Sequence, residues 1–317
     1  MKRIIFNVAF AVSFVVIFAS VFTFYLDEFA GAYNGIETLS PSDQLEILEC
    51  YDWSEQISDF PMENGKGAEE VPVLIYHRIV DDAAVTKSHY DDSANLHSTI
   101  VLKSEFIKQM EFLYEEGYTV LNSKEFLLFM MNELEVPEKS VLLTFDDGYK
   151  DNFREAYPIL KKYDFTALSF LITSIIPKSD EKYKAQDVQY FSTQDIENSC
   201  DIFEFYSHTF AFHKQTPDLE AHLKEKSKEE IKKDISVSLH NLNERNRAFS
   251  YPSGEYDLDT IAILSELDIE MAFSIDKINA EPGMNLLEIP RKEITSTTGM
   301  EDFKHKLIEK NPTDTGS

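Results

Sequence analysis

The residues with the clearest capacity for chemistry are Asp146 and Asp147, in "VLLTFDDGYKDNF", and His208 and His213, in "SHTFAFH". Adjacent carboxylates between an apolar run and a glycine read as a turn when taken alone, since Asp-Gly is a common turn dipeptide. Two histidines five apart diverge by about 140° on a helix, so a shared ligand requires a loop between them. Joined to a carboxylate from a neighbouring strand end, they make two imidazoles and one carboxylate. That donor set suits a divalent cation and leaves positions for water and substrate. Zinc is the expected ion, and cobalt, nickel or iron would fit the same donors.

Such a site needs elements that bring distant residues to one rim. From residue 71, short β-branched or aromatic runs alternate with stretches of helical period, as in "VPVLIYH", "SEFIKQMEFLYEEG", "SVLLTFDD", "DNFREAYPILKKYD", "FTALSFLIT" and "IFEFYSH". The β-α order repeats about seven times, which predicts an α/β fold with a parallel sheet and helices outside it. No G-x-G-x-x-G follows the first strand and no G-x-x-x-x-G-K-[ST] occurs, so nucleotide-binding open sheets are set aside in favour of a barrel. In a parallel barrel the C-terminal strand ends meet the ligand. Those ends carry His77, Asp146 with Asp147, His208, Pro252 and Arg291. The charge-dense run "HLKEKSKEEIKKD" reads as the solvated start of a helix.

Ahead of this lies "MKRIIFNVAFAVSFVVIFASVFTFYLDEF", with Lys2 and Arg3 preceding an uncharged stretch from Ile4 to Leu26. At about 1.5 Å per residue that stretch can cross a bilayer as a helix, and it is longer than the apolar region of a secretory signal, with no convincing cleavage site after it. The basic flank places that end in the cytoplasm and the rest outside the cell. The expected organisation is a membrane anchor over residues 1–26, an extracellular linker over 27–70 and a catalytic domain over 71–317. The formal net charge of −27 excludes nucleic acid as the main partner and suits a neutral or cationic one. Export permits a disulfide, yet Cys50 falls in the expected linker, which argues against a bridge to Cys200.

"TFDDG", the histidine pair introduced by "SHT", and "YPSGEY" resemble the successive motifs of the polysaccharide deacetylases, the NodB-homology or carbohydrate esterase family 4 enzymes. "PVLIYHRI", "FIKQMEFLYEEGYTVLN" and "IPRKEI" are similar to the branch that de-N-acetylates poly-β-1,6-N-acetyl-D-glucosamine, an exported biofilm polysaccharide. The resemblance covers about residues 71 to 310. It implies a distorted (β/α) barrel of seven or eight parallel strands, here preceded by the N-terminal transmembrane helix, and metal-dependent hydrolysis of N-acetyl groups. It implies that Asp147, His208 and His213 hold the metal, that Asp146 is the general base and that Arg291 orients it. His77, Pro252, Ser253 and Tyr256 would line the substrate and oxyanion region. The implied partners are an N-acetylglucosamine polymer and the polysaccharide synthase and export machinery. A β-1,4 peptidoglycan deacetylase and a catalytically weak glycan-binding homologue are the alternatives. Two departures matter. Ser250 stands where many members have arginine, and the late histidine that serves them as general acid has no clear counterpart, since His305 falls in a helical pattern that puts it on the surface.

Overall fold

The computed structural model describes residues 35–45, 53, 56–60, 66–214, 221–245 and 247–312. The expected membrane span from Ile4 to Leu26 lies outside them. Among the described residues no helix is long and apolar enough to cross a membrane.

In chain order the elements are β1 (Val73–Tyr76), β2 (Arg78–Val80), β3 (Ile100–Leu102), α1 (Lys103–Glu115), β4 (Thr119–Val120), α2 (Ser123–Met130) and β5 (Ser140–Phe145). They continue with α3 (Tyr157–Tyr163), β6 (Ala167–Leu171), α4 (Thr193–Glu197), β7 (Phe203–Ser207), α5 (His222–Glu225), α6 (Lys228–Asn241), β8 (Ala248–Ser250), α7 (Leu258–Glu266), β9 (Met271–Phe273), β10 (Lys292–Glu293) and α8 (Met300–Ile308). The principal sheet runs β10-β1-β5-β6-β7-β8-β9, with β4 paired to the start of β5. Every pairing between these strands is parallel. A parallel bridge from Phe273 to Ile289 brings the β9 edge beside the segment that leads into β10, which pairs with β1. The sheet therefore curls toward closure, the arrangement of a (β/α) barrel.

Period-two alternation sorts the strand residues into two layers. Leu74, Tyr76, Leu143, Phe145, Ala167, Leu171, Phe203 and Phe205 join the cluster under the surrounding helices. Val73, Leu142, Leu168, Phe170, Tyr206, Ala248, Met271 and Phe273 form the inner cluster, into which α2 sends Phe126, Leu127, Phe129 and Met130. The start of α2 is tied to the sheet by Glu204, whose carboxylate accepts from the backbone N–H and the hydroxyl of Ser123 and from Tyr206 Oη. This inner alternation aims Asp146, His208 and Ser250 toward the mouth of the curl.

Part of the expected linker packs on the domain. Leu39 and Leu45 are buried in the outer cluster. Leu39 N donates to Ile176 O at 3.0 Å, Leu45 N donates to Asn241 O at 2.8 Å, and Ser58 N donates to Glu125 Oε1 at 2.9 Å. Two leucines in a polar, Gly- and Pro-containing stretch leave no periodic signal, which is why composition reads it as a stalk. Cys200 is disulfide-bonded, against the sequence expectation. Cys50 lies outside the described residues, but the chain on either side of it is held to the domain, so the argument from a free linker fails.

The turn after β5 demands a particular backbone. Asp147 and Gly148 have φ of 70° and 73°, the left-handed region, and a Cβ on Gly148 would stand 2.6 Å from Leu171 Cδ2. Asp is tolerated there better than most residues, and glycine fits without strain. Gly148→Ala is expected to lower unfolding free energy by more than about 1 kcal/mol, measured by chemical denaturation; an unchanged value would show that the turn is not constrained as described.

Candidate active site

The strand ends place each group by a simple rule. Asp146 continues the inner face of β5 from Leu142 and Thr144, His208 continues that of β7 from Glu204 and Tyr206, and Ser250 follows Ala248 on β8. Asp147 should point away by alternation, but its left-handed φ of 70° turns the chain so that its carboxylate joins the same site. Its Oδ1 lies 3.0 Å from His213 Nε2 and 3.6 Å from His208 Nε2. The ligand atoms of Asp147, His208 and His213 all fall within 4.8 Å of one another.

These residues fit a divalent cation on the evidence of their own atoms. Asp147 Oδ1 is buried without a hydrogen-bond partner although an imidazole nitrogen is only 3.0 Å away. His208 Nδ1–H donates to the Ser250 carbonyl at 2.7 Å, which leaves the Nε2 lone pair toward Asp147. Burial drives the His208 pKa down to about 4, so this ring is neutral, as a metal ligand must be. Burial also opposes the charge on His213, but Asp147 outweighs it and raises that pKa. For Asp147 burial opposes ionisation, and His213 above all holds it well below the usual carboxylate range.

Asp146 has a different set of partners. Arg291 grips it with a two-pronged fork, Nη1 to Oδ1 and Nη2 to Oδ2, both at 2.8 Å. Ser250 Oγ donates to Oδ2 at 2.8 Å. Arg291 is fully buried, between Phe170 and Phe273, whose ring centres lie 5.6 and 5.8 Å from its Cζ. Its remaining N–H groups go to Ser274 O, Thr144 Oγ1 and Ser250 Oγ at 2.9, 3.2 and 2.8 Å. All five donors of the guanidinium are therefore used. Burial would raise the pKa of Asp146, but the Arg291 guanidinium outweighs it and keeps the carboxylate ionised.

The other sequence-predicted residues lie on the segments that follow β1 and β8. His77, half-buried beyond β1, is near enough to help hold both aspartates ionised when it is itself charged. Pro252 is buried, and Ser253 sits exposed with a left-handed φ of 57°. Tyr256 stacks on Tyr251 at 4.4 Å. His305 is far from this chemistry in role, exposed on α8 and 3.5 Å from Glu309. Sequence reading missed the supporting set. Ser250, noted only as a missing arginine, bonds both Asp146 and Arg291. Tyr149 and Tyr190 stack at 5.4 Å beside Asp147, and Arg78 pairs with buried Asp151 at 2.7 Å directly behind them. A tyrosine that follows "DDG" was the available signal, but its partner is 41 positions away and nothing in the spacing joins them.

The chain resembles known proteins along most of the domain. Residues 133–272 match the family model of polysaccharide deacetylases. The Bacillus subtilis polysaccharide deacetylase family protein YxkH is 30% identical over 218 residues, 68% of this chain and 66% of its own length. The poly-β-1,6-N-acetyl-D-glucosamine N-deacetylase of Staphylococcus aureus is 26% identical over 226 residues, 69% of this chain and 76% of that protein. Among solved structures, the Streptococcus pyogenes deacetylase PplD in complex with acetate superposes with a TM-score of 0.63 at 25% identity, covering 77% of this chain and 99% of that one. IcaB from Ammonifex degensii gives 0.62 at 21% identity over 76% and 98%, a likeness of fold.

Removing Arg291 would leave the Asp146 charge buried without its partner. Arg291→Leu is expected to destabilise the protein by about 3–5 kcal/mol in denaturant unfolding, and adding Asp146→Asn should recover much of that loss. Additive losses in the double variant would contradict a coupled pair.

Proposed function

The chain belongs to the polysaccharide deacetylase family and is a hydrolase of the polysaccharide N-deacetylase type, and we propose that it removes acetyl groups from an extracellular N-acetylglucosamine polymer, poly-β-1,6-N-acetyl-D-glucosamine of biofilm matrix. The observation that carries this reading is a three-donor cation site set against a carboxylate whose charge is fixed by a buried arginine. The likeness to the staphylococcal enzyme supports the β-1,6 linkage.

Asp147, His208 and His213 would hold the divalent ion, which supplies Lewis-acid polarisation of the amide carbonyl when bound. Zinc is the first choice for two imidazoles and a carboxylate. The chain's own residues account for the proton traffic. Asp146 faces the site ionised and takes a proton from the attacking water as the new C–O bond forms. As the C–N bond breaks, the departing amine requires a proton, which the Asp146 carboxyl, protonated during the attack, can return. The Ser253 backbone N–H, in the turn after β8, is proposed to meet the carbonyl oxygen as it gains charge. The products are acetate and a free amino sugar. The absent arginine at position 250 does not argue for a weak binding homologue, because Arg291 reaches Asp146 instead and Ser250 joins the two.

The proposed setting is the cell surface, with residues 1–26 as the anchor, a lone pass through the membrane, and the synthase and export machinery nearby. The surplus of acids would then favour a polymer that becomes cationic as amines appear, a field limited to roughly 8 Å at physiological salt.

Acetate release from β-1,6 and β-1,4 N-acetylglucosamine oligosaccharides tests the substrate. Release is expected from the β-1,6 compound, with loss on chelation and return on adding zinc or cobalt; release from the β-1,4 compound alone would assign the enzyme to peptidoglycan, and release from neither would defeat the proposed reaction. Protease added to intact cells should remove the domain, and full protection would contradict the surface location.

A further inference from the structure

The loop from His208 to His213 must turn sharply to bring its two imidazoles together, with ring centres 4.6 Å apart. Thr209 takes a left-handed φ of 76°, so the N–H groups that follow are turned out of any ladder. Two of them meet one side chain. Phe210 N donates to Asp234 Oδ2 at 2.7 Å and Ala211 N to Asp234 Oδ1 at 2.9 Å. Successive backbone N–H groups of this kind form a concavity that binds an anion, and here the anion belongs to the protein. The loop carbonyls are held from the opposite side, Thr209 O by Thr173 N at 3.1 Å and Phe210 O by Ser174 N at 3.0 Å.

Asp234 is an odd residue at its own position. It lies in the middle of α6, whose N-terminus is already capped by Ser227 and Glu230, so its carboxylate does not serve its own helix. A mid-helix aspartate is unfavourable by propensity, and this one is buried, with no lysine or arginine paired to it among the described residues. One turn further along the same face, Ser238 Oγ accepts from Ser207 Oγ at 2.8 Å, and Ser207 Oγ accepts from Thr209 N at 3.2 Å. This face of α6 is thus bonded to the loop on both sides of His208.

We infer that Asp234 is a positioning residue for the metal-binding histidines: its carboxylate bridges the Phe210 and Ala211 N–H groups and fixes the turn that sets His213 against His208 and Asp147. It touches neither metal nor substrate. The inference rests on the metal-dependent reading of the site, but it is tested without any glycan. Zinc affinity is measured by competition with a chromogenic chelator on the full chain for wild type, Asp234→Ala, Asp234→Asn and, as a control on the exposed side of α6, Lys232→Ala. Asp234→Ala is expected to bind zinc about 10- to 100-fold more weakly, as loss of a group supporting a metal ligand does, with a smaller loss for Asp234→Asn, which keeps one acceptor oxygen, and none for the control. Where acetate release is observed, turnover of both variants should recover at saturating zinc. Zinc affinity within about twofold of wild type in Asp234→Asn and Asp234→Ala, with a lowered thermal midpoint, would overturn the inference and leave Asp234 as a fold-stabilising residue; should Asp234→Ala not fold, Asp234→Asn decides alone. Failure of acetate release from either oligosaccharide would defeat the proposed substrate, whereas unchanged zinc affinity would defeat only the role of Asp234.

Discussion

The site depends on one buried ion pair, the fork of Arg291 on Asp146. Two unit charges about 4 Å apart repel by ~4 kcal/mol at the effective dielectric of a protein near 20. A chain that buries Asp146 and Asp147 with oxygens 3.8 and 3.6 Å from the same His208 nitrogen must offset the repulsion between them. Arg291 does so for the first carboxylate, with every N–H satisfied and two phenylalanines excluding water. The imidazoles, with a cation when one is bound, do so for the second. Because breaking such a pair costs more than forming it contributes, the arrangement constrains its surroundings: Thr144, Ser250 and Ser274 each supply an acceptor that the guanidinium requires.

The two aspartates are adjacent in sequence yet differ in work because the backbone separates them. Strand alternation takes Asp146 inward to Arg291, and the left-handed turn at Asp147 and Gly148 swings the next carboxylate to the histidines. Gly148 is needed because Leu171 lies against it. The same device recurs at Thr209, where a positive φ begins the loop that carries His213. Sheet geometry thus delivers one member of each pair, and a strained turn delivers the other.

Much of this was legible from local pattern. The β-α alternation, the ends of β1, β5 and β7, and the H-x₄-H spacing are all properties of short stretches, and the structure brings His77, Asp146, Asp147, His208 and Arg291 to one mouth. What was not legible is long-range. Asp234 closes a run of charges that reads as a solvated helix, and only the fold reveals that this one acid turns inward. Leu39 and Leu45 are two apolar residues in a polar stretch, too few to make a period, and Ser250 looked like a loss until Arg291 was seen to bond with it from 41 residues away. Propensity and spacing describe neighbours in sequence, and these contacts join residues that the topology alone makes neighbours.

The division of labour between the two carboxylates is tested most directly by bound zinc per chain, determined by elemental analysis beside acetate release, in Asp146→Asn and in Asp147→Ala, His208→Ala and His213→Ala. Asp146→Asn should keep its zinc while turnover falls by about 10²- to 10⁴-fold, because the amide preserves shape but cannot take the proton, and the other three should lose zinc and activity together. Loss of zinc from Asp146→Asn, or near-normal turnover in it, would contradict the account.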